Sequence, residues 1–384
     1  MFDCIIVGAG VAGASAAYHL AKLGHKVLVL EKSSFPRYKA CSGAVSPAIA
    51  PWFDFDFSLA ISRKVDHISL TWQMGDPINL TLKSPEPMWM VDRAVFDQFL
   101  IEQAQAQGAE FQANTIVTGV QLQTSAGSAT KDQWQVVTNQ GSFAASYLIA
   151  ADGAMGSMGK LLKFKEKKTR RSVALETEIP AQLASDSKTY FDFGSVSNGY
   201  IWNFPKAEGR SLGITTFRGN DPKDLAKNLT TYAEKFGLTV KPGQIHESVS
   251  SIWDGNQNLH TERALIIGEA AGLVDPLIGE GIRPGVLSGV RAATHISAAL
   301  GGDNQALAKY TQAIQQELGT DMALGQKLAG LFYQFPKIAY KAGLKRPAIA
   351  QVMSMLLCGE ITYTGIFDIA MQRLKGSLLP GMGG

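Results

Sequence analysis

Gly8, Gly10 and Gly13 stand in the spacing G-x-G-x-x-G near the start of the chain. That spacing suits a pyrophosphate. The first glycine permits a tight turn, the second lets backbone approach the phosphates, and the third lets a helix pack closely on a strand. Free N–H groups at the start of that helix, around Val11 and Ala12, and its positive dipole end add attraction for the anion. Glu31 follows at a distance suited to a carboxylate that accepts hydrogen bonds from ribose hydroxyls, with Lys32 beside it. The motif points to a dinucleotide without choosing between dinucleotides.

The flanking residues supply the elements this motif needs. Residues 2–7, FDCIIV, read as a buried strand, followed by the glycine turn and a helix through about Leu23 that stops at Gly24. KVLVL, residues 26–30, is a second strand closed by Glu31, giving a β-α-β unit. Residues 65–91 alternate apolar and polar positions, which predicts antiparallel strands. Asp92 is placed to cap a helix with Val95, Phe96, Phe99 and Leu100 inward, ending at Gly108. Short strands lead to Ala151. Residues 172–252 are strand-rich with one helix near 221–237; a strand at 264–267 is followed by a glycine turn and a helix near Pro284. From about 304 the pattern is helical.

Composition narrows the class. Lys and Arg number 36 against 33 Asp and Glu, a net charge of +3, too small to imply nucleic acid as a partner. Cys4, Cys41 and Cys358 are scattered and form no metal or disulfide pattern, which fits a reducing, cytoplasmic setting. No metal site is expected. No stretch reaches the roughly 20 uninterrupted apolar residues of a membrane span.

Two further segments carry glycines at strand ends. Residues 148–157, LIAADGAMGS, present Asp152 and Gly153; residues 264–285, ALIIGEAAGLVDPLIGEGIRPG, present Gly268, Glu269, Gly279, Gly281 and Ile282. With the first motif they resemble the three fingerprints of the p-hydroxybenzoate-hydroxylase-like FAD enzymes. Arg93, in VDRAVFDQFL, resembles that superfamily's arginine near the flavin polyol chain. PRYKACSG, residues 36–43, and GYIWNFPK, residues 199–206, are similar to paired segments of the geranylgeranyl reductase family. The resemblance runs in order to about residue 300.

The resemblance implies FAD as cofactor and an α/β fold: a Rossmann-like FAD-binding domain with an inserted antiparallel-sheet substrate domain and a helical C-terminal region. The expected boundaries are 1–64, 92–164 and 255–300 for the FAD-binding domain, 65–91 and 165–254 for the substrate domain, and 301–384 for the helical region. Two departures stand out. Glu269 replaces the family's aspartate, so an extra methylene must be absorbed by a backbone shift or a changed hydrogen bond. Ser42 replaces a glycine, which should narrow backbone freedom there.

The implied reaction is saturation of C=C bonds in a prenyl chain. Hydride attack on an unpolarised bond calls for a proton donor at the other carbon. Cys41 and Lys39, in the family-specific segment, are the candidates; a free cysteine is also at home as a small buried apolar residue. Tyr200, Trp202 and Phe204 share one strand face, which either walls a long apolar tunnel or packs the core. Pro205 and Lys206 are expected to begin the next turn. Arg283, at the start of the helix near Pro284, either adds positive charge beside the flavin or is a surface arginine.

No second G-x-G-x-x-G is present, so electrons come from transiently bound NAD(P)H or from a protein such as reduced ferredoxin. A prenyl-lipid substrate implies peripheral contact with a membrane. The basic run 163–171 reads as a solvated face or as a contact for anionic lipid or an acidic donor protein. The apolar, interrupted stretch 348–371 reads as core, tunnel lid or interfacial surface. The rival functions on the same fold are an aromatic or quinone-ring monooxygenase, an electron-transfer flavoprotein acting on quinone, and a scaffold with weakened FAD binding.

Overall fold

The structure, a computed structural model, describes residues 1–369 except 83, 125–131, 165–169, 181–187, 218–221, 242 and 256. Most of the basic run 163–171 therefore lies outside the described residues.

An eight-stranded sheet is built on Phe2–Val7, which lies between Val27–Leu30 and Gly141–Ala150 and runs parallel to both. These strands are nearly continuous apolar runs because helices or loops cover both faces; Ile5, Ile6, Leu28 and Leu148 are fully buried. Ala264–Ile266 extends the sheet on one side, also parallel. Register places Val7 opposite both Leu30 and Ala150, and Ala150 opposite Ile266. Four strands thus end at one level, and Gly8, Glu31, Ala151 and Ile267 leave from the same carboxyl edge. This edge of an open parallel sheet is where ligands bind.

The longer helices in chain order are α1 (Val11–Lys22), α2 (Arg93–Ala106), α3 (Pro222–Lys235), α4 (Ile282–Leu300), α5 (Ala306–Ile314), α6 (Thr320–Gln334) and α7 (Pro347–Leu357). Small residues let α1 and α4 approach closely: a Cβ on Gly289 would overlap the Ala12 carbonyl oxygen, and Gly285 lies beside Val11 and Ala12. The N-termini of both helices therefore reach the same sheet edge. Asp92 caps α2, its carboxylate accepting from Ala94 N–H at 2.7 Å. The buried stripe of α2 is Arg93, Phe96, Asp97, Leu100, Ile101 and Ala104, with Phe99 beside it. Val95, expected inward, is 50% exposed. It sits about one helical step outside that i, i+3, i+4, i+7 stripe.

A seven-stranded sheet runs in the order His246–Ile252, Arg170–Pro180, Gly209–Thr216, Gly199–Lys206, Thr189–Phe193, His67–Trp72, Gly75–Thr81. It is antiparallel except where Thr189–Phe193 runs parallel to His67–Trp72. Within residues 65–91 the expected antiparallel pairing is present between His67–Trp72 and Gly75–Thr81. Met88–Met90 leaves the hairpin for a small sheet with Ala44–Val45 and Arg63–Val65. All three of its residues are buried, so it needs cover on both faces, unlike the alternating strand Gly75–Thr81. Pro205 and Lys206 are also strand rather than turn, paired with Arg210 and Gly209. The turn needs only Ala207 and Glu208, and the buried Lys206 ammonium donates to the Val91 carbonyl at 2.5 Å.

The strand Arg170–Pro180 shows how this sheet faces two ways. Leu175 and Ile179 pack in one cluster with Leu225 and Leu229 of α3. Ser172, Ala174 and Glu176, at the alternate positions, face a cleft shared with the first sheet. The C-terminal helices close the far end, where Phe332 meets Phe193 with ring centroids 5.3 Å apart.

Candidate active site

The glycine loop is closed against protein on one side and open on the other. Gly8 has φ +106°, and a Cβ there would overlap the Ala151 carbonyl oxygen. A Cβ on Gly13 would overlap the Gly8 carbonyl oxygen. At Gly10 only the Arg37 guanidinium comes within reach, at 3.8 Å. Gly10 is the N-cap of α1 and Gly281 that of α4; neither end has a side-chain cap or an acidic residue in its first turn. Two sets of unsatisfied N–H groups thus meet at one edge, as anion binding requires.

Glu31 is almost fully buried. Its oxygens accept from Ala9 N–H at 2.9 Å and Ser33 N–H at 3.0 Å, tying the glycine loop to the end of the second strand. Asp152 accepts from Met158 N–H at 2.8 Å and so shapes the turn that starts at Gly153; burial pushes its carboxyl above the usual carboxylate range.

Two clefts run along this edge. One is lined by Glu31, Lys32, Thr115 and Asp152. The other is lined by Arg93, Cys41, Glu176, Tyr200 and Ile282. Gly10, Lys39, Ala151, Gly153 and Glu269 line both, so the two form one trench. An extended dinucleotide fits it: ribose acceptor at one end, open glycine backbone in the middle, the α4 N-terminus at the other. The chemistry and shape of these residues suit FAD.

Charged groups occupy set places in the trench. Lys39 Nζ lies 3.0 Å from Glu269 Oε2. Burial raises the Glu269 carboxyl, but Lys39, a hydrogen bond from Ser250 and the Arg93 charge together outweigh it and hold the group below the usual range. Arg93 is fork-bonded to the fully buried Asp97 at 2.8 and 2.9 Å, and Asp97 also takes Arg37 at 2.9 Å. Arg283 pairs with Glu280 and is not among the side chains lining either cleft.

Cys41 lies between the sheets. Its sulfur accepts from Gly43 N–H at 3.5 Å, and the residue lines the same cleft as Arg93. Its own N–H donates to Glu176 at 3.0 Å. Glu176 also accepts from Tyr38 O–H at 2.5 Å and Ser211 O–H at 2.8 Å, and Trp202 Nε1–H donates to Ser211 at 3.0 Å. Burial pushes the Glu176 carboxyl above the usual range. The expected loss of freedom at Ser42 carries no strain: the left-handed residue is Gly43, φ +74°, where a Cβ would overlap Val91 and Lys206.

Tyr200, Trp202 and Phe204 do share a face. Tyr200 and Trp202 line the second cleft; Tyr200 and Phe204 line a side cavity with Cys41 and Gly281. Beyond it lies a small, almost wholly apolar cavity among Leu70, Phe193, Leu277, Phe332 and Met353. Tyr200, Phe191, Ile278 and Leu357 border both. The apolar cavity and the side cavity beside Cys41 and Gly279 therefore share a wall.

Three polar residues of the site escaped sequence reasoning: Asp97, Arg37 and Glu176. Asp97 stands four residues after Arg93, an ion-pair spacing on a helix. Glu176 had a signal in the alternation of its strand, where Leu175 and Ile179 mark the core face and leave Glu176 with Ser172 and Ala174 on the other.

A family model described as an FAD binding domain matches residues 61–317, and one described as an FAD dependent oxidoreductase matches residues 3–80. An uncharacterized protein of Methanosarcina barkeri is 32% identical over 337 residues, 86% of this chain and 84% of that protein. Digeranylgeranylglycerophospholipid reductase 1 of Methanothermobacter thermautotrophicus is 26% identical over 340 residues, covering 84% of each chain. The menaquinone reductase of Mycolicibacterium smegmatis is 27% identical over 383 residues, 94% of this chain and 91% of the relative. Among solved structures, a geranylgeranyl bacteriochlorophyll reductase-like protein from Thermoplasma acidophilum has TM-score 0.75 at 24% identity, covering 86% and 87% of the two chains. A flavin-dependent brominase has the same fold, with TM-score 0.74 at 18% identity over 98% and 99%.

Proposed function

The chain belongs to the FAD binding domain family of FAD-dependent oxidoreductases, and from that premise we propose that it reduces C=C bonds in the prenyl chain of a lipid. The observation that carries this reading is the almost wholly apolar cavity that shares Tyr200, Phe191, Ile278 and Leu357 with the side cavity beside Cys41. Such a lining suits hydrocarbon; it offers no partner to an aromatic ring bearing polar groups. Relatives named for a digeranylgeranyl phospholipid and for menaquinone support a prenyl chain with either head group.

Bound FAD, once reduced, supplies the hydride for each bond. The N-terminus of α4, at Gly281 and Ile282, offers N–H groups and a positive dipole end to negative charge in the cleft. Arg93, held charged by Asp97, adds a cation beside Cys41. Each reduction also needs one proton at the carbon that the hydride does not attack. Cys41 is the donor in this reading: its thiol stands where cleft and side cavity meet. Glu176, a buried acid bonded to the Cys41 backbone, positions it. Tyr200, its hydroxyl bonded to the Ile278 carbonyl at 2.6 Å, and Trp202 wall the bound chain. Lys39 balances Glu269 where the pyrophosphate passes. Electrons arrive from NAD(P)H or a reduced ferredoxin-like protein that binds transiently, at the cytoplasmic face of a membrane.

The test is anaerobic. The FAD-loaded, chemically reduced protein is mixed with a digeranylgeranyl phospholipid or menaquinone. Loss of reduced flavin, with a product heavier by two hydrogens per bond, supports the reading. Reoxidation only by oxygen, with hydroxylation of an aromatic compound, replaces it with a monooxygenase.

A further inference from the structure

Helices α6 and α7 are apolar on both sides. Inward, Phe332 and Tyr333 of α6 and Met353 and Leu357 of α7 line the apolar cavity. Outward, Leu328, Leu331 and Phe335 recur at i, i+3 and i+7, and they are 38%, 62% and 49% exposed. Ile338, at 64%, and Ile349, at 41%, continue the surface across the connection to α7.

Charge is segregated at the same place. Residues 322–359 hold five basic residues, Lys327, Lys337, Lys341, Lys345 and Arg346, and no acidic one. The chain as a whole carries 36 basic against 33 acidic residues, so the rest of it is net acidic. All five basic residues are exposed. Among the described residues only Lys345 has an ion-pair partner, Asp76. No helix of the described residues is long and apolar enough to cross a membrane.

We propose that the outer faces of α6 and α7, with the segment between them, dock on an anionic lipid bilayer. Exposed Leu, Phe and Ile side chains enter the acyl boundary, while the lysines and Arg346 sit at the headgroups. Charge argues for lipid over a second copy of the chain. A two-fold contact would set this all-basic face against itself, and like charges brought together repel. Docking places the helices that wall the apolar cavity on the membrane, so a prenyl chain passes between them without crossing water. The inference deepens the prenyl-lipid reading and depends on it only for this path.

Sedimentation with vesicles tests the surface directly. The full-length, FAD-loaded chain is spun with phosphatidylcholine vesicles and with vesicles that also contain phosphatidylglycerol. The expected result is binding to the anionic vesicles only, weakened by added salt. Leu331→Asp with Phe335→Asp, and separately Lys337→Glu with Lys341→Glu, should each lower the bound fraction at least about tenfold. Both pairs should leave turnover of a water-soluble prenyl substrate unchanged. Failure of the wild-type chain to bind anionic vesicles overturns the docking surface, as does binding by both variants at the wild-type level. A dimer that the Leu331→Asp pair dissolves, without vesicle binding, overturns it in favour of a second copy. Vesicle binding without any prenyl turnover leaves the docking surface standing and removes the substrate reading instead.

Discussion

Lys39 Nζ and Glu269 Oε2 lie 3.0 Å apart where the two halves of the FAD trench meet. The extra methylene of Glu269 is thereby accounted for: the longer side chain reaches an ammonium on the opposite wall.

The pair makes cofactor affinity depend on both residues together. Lys39→Met leaves a carboxylate without its counter-ion beside the pyrophosphate path and should weaken FAD binding about tenfold. Adding Glu269→Gln removes the repelling charge and should recover most of the loss. Quenching of flavin fluorescence reads both. Equal FAD affinity in the wild type and the Lys39 variant would show that the ion pair does not govern the trench.

Glu176 gathers three donors, two from the Cys41 loop and one from the adjacent strand Gly209–Thr216. Glu176→Leu strands the buried Ser211 O–H and takes the acceptor from the partly buried Cys41 N–H and Tyr38 O–H, and should cost about 2 kcal/mol of stability. Glu176→Gln keeps an acceptor oxygen and should cost about 1 kcal/mol. Urea unfolding separates the two. With FAD still bound, turnover should fall further in the Leu variant, because the loop that carries the thiol is no longer held.

The apolar cavity sets the length of hydrocarbon that fits. Met353→Trp fills this cavity from the α7 side. Turnover of a geranylgeranyl substrate should drop at least about tenfold, through KM, while that of a shorter prenyl substrate holds. Unchanged discrimination between the two lengths would place the chain elsewhere.

Asp275 carries a pH signature. It is buried beneath the turn before Gly279, where Oδ1 accepts from Leu277 N–H and Ile278 N–H at 2.8 Å and from Tyr363 O–H at 3.0 Å. Burial pushes its carboxyl up to about 6. The folded state therefore keeps a proton that the unfolded chain has already released. This contribution is fully present below about pH 4 and is lost as pH rises through about 6. Asp275→Asn removes the titration. From pH 4 to 7 the wild type should lose up to about 3 kcal/mol more stability than the variant, by urea unfolding at each pH. Parallel pH profiles for the two proteins would refute it.

Much of the site was legible because its parts are local. Strand, glycine turn and helix at residues 2–23 follow from adjacent residues, and so does the Asp92 cap of α2. The other glycine turns, at Gly153 and at Gly268 to Gly281, stand after strands that could be read one by one. Misreadings came where neighbours in space decide. Val95 was assigned inward from an apolar spacing that the true stripe only grazes. Lys206 stays in a strand because a carbonyl from another segment receives its ammonium.

The sequence by itself pointed to a bound dinucleotide and to the backbone turns that hold it, while Cys41 and the strand of Tyr200 and Trp202 were candidates through resemblance to family segments. The dinucleotide and its turns rest on conformations that a few consecutive residues dictate: glycine's freedom at φ above zero, a bare helix start, the period of a strand. Only the tertiary structure decided that Glu269 answers Lys39, that Glu176 anchors the Cys41 loop, and that α6 and α7 present one apolar face to a cavity and another to solvent. These are relations between segments up to hundreds of residues apart. Register and packing set them, and no local pattern in the chain encodes which distant groups will meet.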